Sequence, residues 1–206
     1  TSEFPLHDRF MQIETKRVPW YGHLYFQVLV AIAIGVAMLV LGYLGLLDAR
    51  FDVELITAVA RARPDWDVVI VGPHDASPDA RLTRDNIRRV SAVPYAQVPE
   101  ALAAFDVAVL PYVRSELTRA INPLKLREYL ASGAPVVTTS LPEAARFAPE
   151  VEVADTPTDF VAAVERCLAG PRDRRVARAS MLATESWDER AGRLVARCRA
   201  VRERGR

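Results

Sequence analysis

Asn122 to Glu143 reads NPLKLREYLASGAPVVTTSLPE, a segment holding a helix start, a helix stop and the strand that follows. Asn122 and Pro123 open it: Asn is a preferred helix cap, and Pro suits the first helical position. The helix so started runs through Ser132. Gly133 ends it in a tight turn, and APVVTTS is an apolar strand. A helix that feeds an apolar strand within a few residues is the repeating unit of a parallel sheet.

The same alternation recurs on both sides of this segment. MLVLGYLG, from Met38, reads as a short buried strand ending in a glycine-rich turn. VELITAVARA has helical spacing, and Pro64 marks its end. DVVIVGP is a continuous apolar run closed by Gly72 and Pro73, the pattern of a central strand covered on both faces. A polar insert, HDASPDARLTRDN, leads to the short strand IRRVSAV. AQVPEALAAF is a helix and DVAVLPY another buried strand. VEVAD is a last short strand, with helices predicted over 157–169, 173–185 and 188–203. Residues 38–206 are therefore expected to form an α/β domain, a Rossmann-like parallel sheet with helices on both faces. Such sheets bind ligands at the C-terminal ends of their strands.

The helix begun at Asn122 and Pro123 presents open N–H groups and a positive dipole end at that mouth, an arrangement that favours phosphate. Lys125 adds a positive charge about one turn in, and Glu128 lies one turn further along the same face. A carboxylate there could accept hydrogen bonds from a pair of sugar hydroxyls. Each residue also has a plain structural reading. Glu128 could be a solvated helix residue, and Arg50 could pair with Asp48 or Asp52. Gly42, Gly45 and Gly72 could serve only as strand-end turns. Tyr112 and Tyr129 read as packing residues, and Trp66 and Trp187 as packing anchors. His7, His23 and His74 have no partner at triad or metal spacing.

The segment resembles the C-terminal lobe signature of retaining glycosyltransferases of the GT4 type, which are two-lobed (GT-B) enzymes. The surrounding order is similar as well: GYLGLLDARFDVELI, DVVIVGP, VPYAQVPEALAAFDVAVLPY, then the signature and a terminal SWDERAGRLV helix, over roughly residues 38–200. The resemblance implies a lobe that binds the nucleotide diphosphate of a UDP- or GDP-sugar, with Glu128 on the ribose hydroxyls. A second Glu that contacts the transferred sugar in that family is replaced here by Ala120, with Glu116 one turn earlier in a predicted loop. The family's Arg and Lys after the first strand correspond to Gly45 and Arg50, so half that pair is missing, and Arg119 and Lys125 are alternative sources of charge. The implied donor-binding set is Gly42, Gly45, Arg50, Gly72, Arg119, Asn122, Pro123, Lys125 and Glu128. No catalytic residue is assigned. No cofactor is expected beyond the sugar donor, and no Asp-x-Asp is placed for a metal.

The front of the chain has another character. Residues 1–19 read as a disordered leader. From Leu24 to Leu47 there is no charged residue, and residues 20–37 read as a hydrophobic helix long enough to suggest a membrane span. Met11 to Val36 resembles the start of a C4-dicarboxylate symporter of the DctA type, which suggests a chimera. These features predict a cytoplasmic protein with inner-membrane attachment through 20–37. With no acceptor lobe in view, the chain is expected to be inactive by itself. The rival expectations are a membrane-anchored, non-catalytic nucleotide-binding module and a transporter remnant.

Composition excludes little else. The 206 residues carry a formal net charge of +1, too small a field to predict nucleic-acid binding. Basic residues gather late, in RDRRVARAS and RCRAVRERGR, where the solvated faces of two helices are expected. Cys167 and Cys198 lie in helical patterns without ligand spacing, as buried or half-buried thiols. Oligomeric state is not encoded in any of these patterns.

Overall fold

The computed structural model describes residues 39–73, 80–171 and 174–204. The leader, the apolar segment 20–37, the symporter-like stretch 11–36 and the three histidines lie outside the described residues. No helix among those described is long and apolar enough to cross a membrane.

Six strands form one sheet: β1 (Leu39–Leu44), β2 (Trp66–Val71), β3 (Ile87–Val90), β4 (Val107–Leu110), β5 (Val136–Thr138) and β6 (Val151–Val153). Their order is β3-β2-β1-β4-β5-β6, and every pair is parallel. The fold is therefore the expected Rossmann-like α/β sheet. Its strand order reverses between β1 and β4, which opens a crevice at their C-terminal ends. The helices are α1 (Val53–Ala62), α2 (Val98–Ala103), α3 (Glu116–Ala120), α4 (Leu124–Ser132), α5 (Pro157–Ala169), α6 (Arg175–Ala183) and α7 (Trp187–Arg204). On one face α1 packs on α5; on the other, α4 packs on α2 and α6.

The strand expected in MLVLGYLG forms over Leu39–Leu44. Leu39 to Leu44 pair residue by residue with Trp66 to Val71, while Leu41 and Gly42 pair with β4 on the other side. A central strand of this kind satisfies its backbone from both neighbours. All six residues of β2 are buried, as its unbroken apolar run predicts. One of them is Asp67, whose Oδ2 accepts from Arg88 Nε at 3.2 Å.

Several local expectations are corrected. Asn122 does not cap α4. Pro123 holds the cap position without a side-chain bond, because the Asn122 carboxamide oxygen is taken by Arg127. Gly133 does end the helix, at φ 87°, a left-handed conformation that favours glycine. Glu116 lies not in a loop but in the first turn of α3, where Ser115 and Thr118 form a reciprocal cap. Trp66 is buried beneath the Arg63 guanidinium, whereas Trp187 is 79% exposed rather than packed as an anchor. Cys198 is exposed while Cys167 is buried.

Arg178, read as part of a solvated face, is wholly buried. Its Nη1 donates to the Ala134 and Leu130 carbonyls at 2.8 and 3.3 Å, and its Nε to Glu150 at 3.0 Å. The fork joins α6 to the end of α4 and fills acceptors that a helix C-terminus leaves open.

Candidate functional site

The crevice is bounded by the turn after β1, the segment after β4 and the first turn of α4. Gly45 carries the β1 turn. Its N–H donates to the Val71 carbonyl at 2.7 Å, and its φ of 153° is one that side-chain-bearing residues rarely adopt. A Cβ on Gly72 would collide with the Gly45 carbonyl, so these two glycines permit the β1 and β2 turns to touch. Tyr129 fixes the other side of the turn: its hydroxyl accepts from Leu44 N at 2.8 Å and donates to Leu44 O at 3.1 Å. Burial raises the pKa of that phenol, which keeps it a donor across the neutral range.

Lys125 reaches over this turn from α4. A Cβ placed on Gly45 would overlap its Cε and Nζ. Its ammonium lies 5.6 Å from the centre of the Tyr43 ring. Half-buried, it has no carboxylate within ion-pair distance among the described residues. Glu128, three residues further on and also half-buried, likewise has no hydrogen-bond or ion-pair partner among them. The absence of an Arg at position 45 thus leaves a space, and Lys125 occupies it.

The other predicted donor residues divide. Arg50 is engaged: its Nε is 3.0 Å from both Asp48 oxygens, and its guanidinium lies 5.9 Å from the Tyr112 ring centre. That pairing holds Asp48 below the usual carboxylate range and raises Arg50. Gly42 is away from the crevice, inside β1, where a Cβ would run into the Phe105 ring; its lack of a side chain serves packing. Arg119 is exposed on α3, and Asn122 is exposed with its side chain bonded to Arg127. Pro123 is buried at the start of α4, whose first N–H groups face the crevice without a side-chain cap.

Sequence reasoning missed the residues that hold α4 in place. Arg127 donates to Glu143 at 2.5 Å and to Glu185 at 2.8 Å. No spacing in the sequence connects positions 127 and 185. At the opposite end of the sheet, Phe105, Asp106, Ser132, Gly133 and Arg175 line a cavity of about 250 Å³. It abuts the C-terminal end of α4, where carbonyls rather than N–H groups face out, so it lacks the anion-binding character of the crevice. No cluster suited to a metal ion occurs among the described residues.

Known proteins resemble this chain in sequence and in fold. The glycosyl transferase-like family matches residues 50–196. The chain belongs to this family. TuaH of Bacillus subtilis (strain 168), named as a candidate glycosyltransferase of teichuronic acid biosynthesis, is 32% identical to it over 160 residues. That match covers 73% of this chain and 40% of TuaH, so the glycosyltransferase-like chain spans less than half of that relative's length. Among solved structures, a sucrose-phosphate synthase from Thermosynechococcus elongatus superposes with a TM-score of 0.65 at 17% identity, over 85% of this chain and 49% of that one. HepE of Anabaena, solved with UDP and glucose, gives 0.53 at 16% identity, over 68% and 41%. These likenesses show the fold of a GT-B glycosyltransferase lobe. The comparisons lend no support to a symporter relationship or a chimera.

Proposed function

We propose that this lobe binds the nucleotide diphosphate of an activated sugar, in support of sugar transfer with retention of anomeric configuration. The observation that carries the reading is Lys125, a half-buried ammonium over Gly45 with no carboxylate at ion-pair distance among the described residues. It stands at the start of α4 and beside the reversal point of the sheet. A cation, uncapped N–H groups and a backbone turn without a side chain together suit a diphosphate. Glu128, on the same face of α4, is then placed for the ribose hydroxyls, and exposed Arg119 for the outer phosphate. In transfer the chief work of this set is to stabilise the negative charge that develops on the leaving diphosphate. Arg50 contributes through Asp48, by shaping the turn, rather than as a free cation.

UDP is the first donor nucleotide to test, with GDP the alternative, because HepE is a structural relative solved with UDP. The described residues form a single lobe around one sheet. Donor binding without transfer is therefore expected of the purified 206-residue chain. Titration calorimetry with UDP, GDP and their glucose conjugates tests this. Binding should fall at least about tenfold in Lys125→Ala and in Glu128→Ala, the loss of one charge-assisted contact each. Absence of binding to every nucleotide would overturn the reading, and sugar transfer by the chain alone would overturn its last part.

A further inference from the structure

Lys125 and Arg127 are two residues apart on α4, so they leave its first turn on opposite sides. Lys125 faces the crevice; Arg127 faces the elbow between α6 and α7. The Arg127 side chain is only 11% exposed, and its donors reach Glu143, Glu185 and the Asn122 carboxamide oxygen. The Phe147 ring centre lies 5.2 Å from its guanidinium. Glu185, 8% exposed, also accepts from Arg190 at 2.5 Å and Arg146 at 3.2 Å. A guanidinium so far from water requires such acceptors, and their geometry then fixes where it sits. Because Arg127 also holds Asn122, the backbone entering α4 is tied from behind to a carboxylate 58 residues further along the chain.

We propose that Glu185, acting through Arg127, is a positioning residue for nucleotide binding. It holds the first turn of α4, and with it Lys125 and the open N–H groups, from outside the crevice. The inference rests on the reading of that turn as the diphosphate site.

The sign of the effect separates position from charge. Three arginines (127, 146 and 190) face two carboxylates (143 and 185) in this cluster. Neutralising Glu185 leaves more positive charge behind α4, and that field alone would tighten the hold on an anion. Loss of position weakens it. At about 0.15 M salt the field fades over roughly 8 Å, so position should dominate.

The test compares the full chain with its Glu185→Gln and Arg127→Lys variants. Two measurements are made: calorimetric affinity for UDP, and amide hydrogen exchange over residues 126–130 of α4 without nucleotide. In both variants these amides should exchange faster, and UDP should bind about fivefold more weakly, the range found for residues that touch no ligand. Equal or tighter UDP binding overturns the proposal, and so does unchanged exchange. A lowered melting temperature with UDP affinity intact makes Glu185 a stability residue only, which also overturns it. If the unaltered chain binds no UDP, the diphosphate reading fails and exchange alone decides: faster exchange retains the positioning role, unchanged exchange removes it.

Discussion

Lys125 lies across Gly45, its Cε and Nζ filling the space where a side chain at position 45 would stand. The two positions are 80 residues apart in sequence, and they fit together because one has no side chain and the other a long one. Gly45→Ala would both displace the ammonium and strain the turn, whose φ is 153°. We expect a loss of about 1–3 kcal/mol in stability from the backbone, together with UDP binding weakened about tenfold. Chemical denaturation and calorimetry on the same preparation check the two parts separately; full UDP affinity in the variant would contradict the placement of Lys125.

Gly42 and Phe105 form a second such pair, with a different purpose. The Phe105 ring covers the Cα of Gly42 inside β1. Gly42→Ala should cost about 1–3 kcal/mol by overpacking. Combining it with Phe105→Leu should recover part of that loss, because the contact is shared. A double-mutant cycle in urea measures the coupling, and strict additivity would argue against it. UDP affinity should be unchanged by either substitution, since neither side chain reaches the crevice.

Acid should weaken the fold through identifiable carboxylates. For Glu185, burial raises the pKa, but hydrogen bonds from Arg190 and Arg127 outweigh it and hold the group below the ordinary glutamate range. Asp48 is held low by its hydrogen bonds from Arg50. A carboxylate depressed in the folded state contributes stability above its unfolded pKa and loses it as pH falls toward the folded value. Denaturant midpoints should therefore be level from about pH 7 to 5 and fall below about pH 4. Glu185→Gln should make that acid fall shallower; an equally steep fall in the variant would remove Glu185 from the account.

The two thiols should react at very different rates. Cys198 is exposed on α7, while Cys167 is buried against the sheet with its thiol pushed up to about 11 by burial. At neutral pH an aromatic disulfide reagent should titrate one thiol quickly and the second only on unfolding. Cys198→Ser should abolish the fast phase. Two fast thiols would mean that α5 does not pack as described.

Much of the fold was legible because each element announces itself locally. VELITAVARA, DVVIVGP and the Gly133 turn carry their own periodicity and stop signals, and each forms where it was expected. Lys125 was legible for the same reason, as a cation one turn into a helix at a strand mouth. Asn122 was misread as a cap because the competitor for its side chain, Arg127, gains a buried acceptor that a local rule does not see. Arg178 was misread because its partners, Glu150 and the Leu130 and Ala134 carbonyls, lie 28 to 48 positions away.

The sequence alone determined the alternation of the main strands and helices and the parallel sheet, since these follow from period, turn chemistry and chain direction. Tertiary structure decided which charges remain available. Asp48 engages Arg50, Glu185 and Glu143 engage Arg127, and Lys125 is left facing the crevice. A residue's charge is a property of its side chain, but its freedom to meet a ligand depends on partners that only folding brings within a few ångströms.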